Sequence, residues 1–245
     1  MFETIAIFYT QIFGVVLPAT AIAILMLGTQ RANLSMRQTT VALGGLIGLI
    51  GVWHAVVVSL GQAGVWLPPV NPTDVPYALM PLIGGTIILW VLGRLTTLGR
   101  RIVDSLTPRE LISIQVFRLM GGVFVLGWFM GAIPWQFALT AGVGDVLAGL
   151  AAIRAVRALD RGDANAEQLV WRANVIGLAD FVVAVSIGIM TSPGFMQVMA
   201  FDNPNIINAY PLALFPEFIV PIFAAFQLFS LGAIYRRRAA AEAPA

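Results

Sequence analysis

The stretch TIAIFYTQIFGVVLPATAIAILMLGTQRANLSMR, Thr4 to Arg37, decides the fold: an apolar run without a single charge ends on Arg31 and Arg37. About 20 apolar residues cross the hydrocarbon core of a bilayer as one helix, and this run is longer. Outward from it the pattern repeats, giving seven apolar runs near residues 4–28, 39–62, 77–99, 112–133, 135–157, 168–191 and 211–235. The connections alternate in charge. After Arg31 and Arg37 comes a Pro-rich connection, 63–76, whose only charge is Asp74. Arg94, Arg100, Arg101 and Arg109 stand between the third and fourth runs, and nothing charged surrounds Pro134. Arg154, Arg157, Arg161 and Arg172 flank the fifth connection, the next one carries Asp202 without arginine, and Arg236, Arg237 and Arg238 close the last run. Cytoplasmic loops collect Lys and Arg. The expectation is therefore an all-α integral membrane protein of seven transmembrane helices, N-terminus outside and C-terminus cytoplasmic.

Composition agrees with that class. Hydrophobic residues make up 59% and charged ones 11%, against roughly half and a quarter in a soluble domain. The net charge of +2 is split among separate loops, which argues for an anionic lipid surface and against nucleic acid as a partner. Absence of cysteine excludes disulfides, thiolate metal sites and thiol nucleophiles. All 14 basic residues are arginine, a usage that points to a GC-rich bacterial genome and to a plasma membrane or bacterial inner membrane. Met1-Phe2-Glu3-Thr4 lacks the positive start of a signal peptide, so the first run reads as a retained span. No linker divides the chain; residues 1–238 read as one membrane domain and 239–245 as a disordered tail. The connections 63–76 and 192–210, rich in Pro and Asn, suit lids at the outer interface.

Ionisable groups at bilayer depth are costly, so they mark the candidate site. At the helical rise, Arg118 lies about 12 Å from the cytoplasmic end of its span, Asp145 about 15 Å from the outer end of the next, and Asp180 about 18 Å from the cytoplasmic end of the sixth. One permanent cation and two carboxylates at one depth invite a shared proton; a structural ion pair that fixes packing is the competing reading. Gln115, one turn below Arg118, and Asn174, before Asp180, extend the polar set toward the cytoplasm. Near the outer end of the last span, Glu217 lies between Pro216 and Pro221. Pro221 has no N–H to give the carbonyl four residues back, which is that of Glu217. Broken helices of this kind recur at substrate and ion sites of transporters. His54, in a glycine-rich second span, has a depth compatible with meeting Glu217. Small residues recur around both aspartates: Gly142, Gly149 and Ala152 near Asp145, and Gly177, Ala184 and Gly188 near Asp180. Such stripes bring helices close and turn the aspartates toward protein. The two segments align locally and run antiparallel, as an inverted repeat would.

Gly142-Val143-Gly144-Asp145 resembles the GxGD motif of intramembrane aspartyl proteases, which implies a dyad with a second transmembrane aspartate, here Asp180. The likeness covers four residues. In that family the GxGD aspartate comes second and a PAL motif follows; here it comes first, and Pro211-Leu212-Ala213-Leu214 is not PAL. The topology is similar to that of microbial rhodopsins, but a chain without lysine cannot form a retinal Schiff base. Ligand spacings for a metal and a nucleophilic serine motif are both missing, so no metal, no cofactor and no catalytic residue is expected.

These residues favour transport or sensing of a small solute or ion with proton coupling. Spans 4 to 7, with span 2, would enclose a polar cavity. Arg118 would hold an anionic group or one aspartate, Asp145 and Asp180 would exchange a proton, and Glu217 with His54 would guard the outer entrance. A non-catalytic membrane subunit or assembly factor, with partner subunits or a second copy of itself, is the alternative class.

Overall fold

The computed structural model describes residues 1–242, and among them 76% is helix and none is strand. Six helices are long and apolar enough to cross a membrane: α1 (Phe2–Arg31), α2 (Met36–Gln62), α5 (Pro108–Phe129), α6 (Trp135–Arg161), α7 (Ala166–Thr191) and α8, a π-wound turn Phe215–Ile219 leading into Val220–Glu242. A seventh crossing exists only if α3 (Leu79–Arg94) and α4 (Thr97–Asp104) count as one span, and these meet at an angle of 83°. The chain is thus a multi-pass helical membrane protein with six to seven spans.

The third apolar run differs from the expected straight helix over 77–99. Thr96 adopts an extended conformation, φ −83° and ψ 148°, and its hydroxyl accepts the Gly99 N–H at 3.0 Å. That cap starts a new helix where the old one would have continued. Helix α4 is amphipathic, with Ile102 and Val103 buried and Arg100, Arg101 and Asp104 exposed. Helix α8 continues to Glu242, into the stretch expected as a disordered tail; residues 243–245 of that stretch lie outside the described residues.

Helix α8 is the axis of the bundle. In its most apolar stretch 67% is buried, against 17% for α2, which is held by α1, the start of α8 and the contact of Trp53 with Gly85 of α3. Helices α6 and α7 pack along each other, and α5 lies in the groove beside α6. The inward residues of α8, among them Phe218, Ile222, Phe226 and Phe229, form the middle of the principal core.

The arginine-bearing connections converge on one end of this bundle. Arg31 grips Glu110 with two bonds, one of 2.7 Å, and Arg101 donates to the Ala32 carbonyl at 2.9 Å. Arg94 and Arg236 share Asp104 at 2.6 and 2.8 Å, Arg109 pairs with Asp160, and Arg238 meets Glu167 at 2.9 Å. The arginine-poor connections meet at the opposite end, where the Phe195 N–H bonds the Pro69 carbonyl at 3.2 Å. Trp66, expected in an interfacial lid, is instead buried there and donates to the Val57 carbonyl at 2.9 Å.

Candidate functional site

Arg118 stands on a stretch of α5, Ile114–Gly121, wound as a 3₁₀ helix. Such winding inside a long helix is uncommon and tends to mark a working or strained segment. The Tyr9 hydroxyl of α1 supports it by bonding the Met120 carbonyl at 2.9 Å. The guanidinium is fully buried and meets three acceptors: Asp145 Oδ1 at 2.8 Å through Nε, the Gly177 carbonyl at 2.8 Å through Nη1, and Asp180 Oδ2 through Nη2. Its flat face lies over the Phe181 ring, 3.8 Å from the centroid, where a cation is attracted to the π cloud. Both aspartates therefore converge on one cation, and they arrive from antiparallel helices.

Close helix approach makes this possible. A side chain at Gly144 would run into the Asp180 carboxylate, and one at Gly177 would strike the Gln227 amide and stand 2.6 Å from Arg118 Nη1. The second glycine of the GxGD letters thus makes room for the carboxylate of Asp180. The guanidinium bridges the two carboxylates, whereas an aspartyl dyad holds two carboxyls around one shared proton.

On the arginine-poor side of this triad lies a cavity of about 90 Å³. Asp145, Asp180, Glu217 and Asn208 are the polar side chains that line it, among Phe124, Phe215 and other apolar groups. Glu217 is fully buried, and neither of its carboxylate oxygens has a hydrogen-bond partner. It sits in the π-wound turn Phe215–Ile219, between Pro216 and the Pro221 that lacks a donor. A second π-wound turn, Ala138–Gly142, precedes Asp145. Irregular windings thus adjoin three of the four helices that bring charge to the centre, α5, α6 and α8, whereas α7, which carries Asp180, is regularly wound.

The expected pairing of Glu217 with His54 is not formed. His54 packs edge-on against Phe218, ring centroids 4.9 Å apart, and its Nε2 faces Gly14 of α1 without a hydrogen-bond partner. Neighbouring residues of this turn point to different sides of the helix, so Phe218 packs on His54 of α2 while Glu217 lines the cavity. Span 2 accordingly does not line the cavity; Leu79 and Leu82 of α3 do.

Gln115 and Asn174 lie toward the arginine-bearing end but bond elsewhere. Gln115 donates to the Phe223 carbonyl at 3.0 Å, and Asn174 donates to the Val170 carbonyl and the Ser230 hydroxyl at 2.9 and 2.8 Å. Gln227, absent from the sequence reading, is fully buried beside the guanidinium, and neither end of its amide has a partner. A polar residue deep in an apolar span was the signal for it. With the unbonded oxygens of Gln115 and Asn174, it makes a seam of polar atoms below the triad. Buried polar groups without partners are costly and mark places where water or a ligand group bonds. Among the described residues, no group of three or more His, Cys, Asp or Glu side chains could hold a metal ion.

The family described as Domain of unknown function (DUF8737) matches residues 75–235, which takes in the triad, the cavity and the polar seam. No curated protein and no solved structure matches the chain.

Proposed function

The chain belongs to the family of that domain of unknown function, and we propose that it moves or senses a small solute or ion across a membrane with proton coupling. What carries this reading is Glu217: a buried carboxyl with no partner, facing the same cavity as Asp145 and Asp180. An isolated carboxyl in an apolar surround is kept at a cost to stability, and a group retained at such cost is a functional candidate. The Arg118 guanidinium holds the two aspartates in the wall of the cavity that Glu217 lines, and in this reading a proton passes among the three acids.

In this reading the α3–α4 pair counts as one span, giving seven in a single membrane domain. The arginine-bearing end is cytoplasmic and the N-terminus lies outside, in a plasma membrane or bacterial inner membrane. The cavity opens toward the outer side and the polar seam leads inward.

The test is solute-dependent proton movement. The purified protein is placed in liposomes with a trapped pH dye and challenged with a panel of small anions, cations and neutral solutes. Movement that appears with one solute and is lost in Glu217→Gln and Asp180→Asn supports the proposal. Solute uptake that proceeds equally in both variants sinks the proton coupling.

A second reading has its own support. Arg118 has no exposed surface and is bonded to both aspartates and a carbonyl, as a structural clamp would be. A non-catalytic membrane subunit would use such a clamp for packing alone. Its mark would be a protein that melts early or aggregates when extracted without a partner.

A further inference from the structure

A larger cavity lies away from this site. It measures about 540 Å³ and sits between α1, α2, α3, α4 and α8, toward the arginine-bearing end. Its walls include Leu25, Leu46, Leu92, Ile102 and Phe226; Thr96 and Thr97, at the α3–α4 bend, are the polar side chains that line it. The volume falls within the range of roughly 300–1,000 Å³ typical of small-molecule pockets. Nothing stands within 4 Å of where a side chain at Gly45 would begin, although that glycine lines the cavity. The space exists because α2 is barely packed against the bundle.

Thr97 also lines a second recess of about 430 Å³, together with Arg100, Arg101, Asp104, Ser105 and Ala32. An apolar chamber thus gives way, across Thr97, to one bearing two exposed arginines. Asp104 is already occupied by Arg94 and Arg236. Arg101 spends Nη2 on the Ala32 carbonyl, whereas the Arg100 guanidinium has no hydrogen bond or ion pair among the described residues. Helix α4, turned 83° from α3, separates the two chambers and lies across the end of the bundle, as an interfacial helix does.

We propose that this pair of chambers is a binding site for an anionic phospholipid: one acyl chain enters the apolar cavity, and the phosphate meets Arg100 and the remaining N–H groups of Arg101. Charge decides the occupant. A neutral or zwitterionic lipid satisfies the apolar chamber but brings no net charge to Arg100, and free phosphate satisfies Arg100 but leaves the apolar chamber without an occupant. Basic pockets at the ends of membrane helices recognise anionic headgroups on this principle.

The test uses the delipidated full chain in detergent, offered equimolar dioleoyl phosphatidylglycerol and dioleoyl phosphatidylcholine, with retained lipid counted by native mass spectrometry. Phosphatidylglycerol should be retained about fivefold over phosphatidylcholine, the scale of one exposed charge pair. Arg100→Gln should bring that preference close to one. Gly45→Leu, which fills the chamber from an open position, should reduce retention of both lipids; Ala42→Leu, in the same wall, replaces it should Gly45→Leu fail to melt cooperatively. Equal retention of the two lipids by wild type overturns the proposal, and so does undiminished retention in the filled variants. A third overturning result is inorganic phosphate raising the melting temperature as much as phosphatidylglycerol does, because the chain would then contribute nothing.

Discussion

Asp180 on α7 takes a hydrogen bond from the fully buried guanidinium of Arg118 on α5, across 62 residues of sequence, and also lines the cavity that Glu217 lines. The same residue is thus tied to a cation and part of the cavity wall. A structural clamp and a proton acceptor need not be different residues.

Removing the cation strands two carboxylates in an apolar surround. Arg118→Gln should cost about 3–5 kcal/mol, the scale for breaking a buried ion pair, read as a large fall in melting temperature in detergent. Adding Asp180→Asn should recover part of that loss, since the two changes act on one pair. Arg118→Lys should also destabilise, because a point ammonium cannot reach the three acceptors that the planar fork spans.

The two aspartates should differ in cost. The side chain of Asp180 is 6% exposed and that of Asp145 17%. Asp180→Asn should lower melting more than Asp145→Asn; the reverse order would mean that water reaches the site by another route.

Gly144 and Gly48 make a matched pair. A methyl at Gly144 runs into Asp180, whereas one at Gly48 meets nothing within 4 Å. Gly144→Ala should destabilise by about 1–3 kcal/mol through overpacking. Gly48→Ala should leave stability unchanged or raise it by up to about 1 kcal/mol through helix propensity. Melting of the two variants side by side decides the matter.

At the arginine-bearing end, Glu110 and Glu167 each meet an arginine in different settings. Glu110 is 11% exposed, takes two bonds from Arg31 and also accepts the Thr107 N–H in a capping box at the start of α5. Glu167, 42% exposed, takes one bond from Arg238. Glu110→Gln should cost about 2 kcal/mol and Glu167→Gln less than about 0.5 kcal/mol. Raising salt should shrink the second effect and leave most of the first.

Much of this architecture was legible in the sequence, for physical reasons. Apolar length locates the long helices because lipid leaves the backbone no other partner. Depth along each helix placed Arg118, Asp145 and Asp180 at one level, and there they meet. Depth says nothing of direction around a helix axis, so His54 and Glu217 share a level without bonding. The bend at Thr96 rests on one hydroxyl capping Gly99, a local choice that an apolar run conceals. Gln227 stands out in sequence as a polar residue within an apolar span, but only packing reveals that it lies by the guanidinium at Gly177.

Proton exchange among the cavity carboxyls leaves a spectroscopic trace. Infrared difference spectra of the purified protein between mildly acidic and mildly alkaline buffer observe the carboxyl C=O stretch directly and need no substrate. A protonated-carboxyl band should appear in the acid form and be lost in Glu217→Gln or shifted in Asp180→Asn, with both variants still melting cooperatively. A spectrum in which neither variant alters any carboxyl band would contradict proton exchange and leave the triad as a clamp.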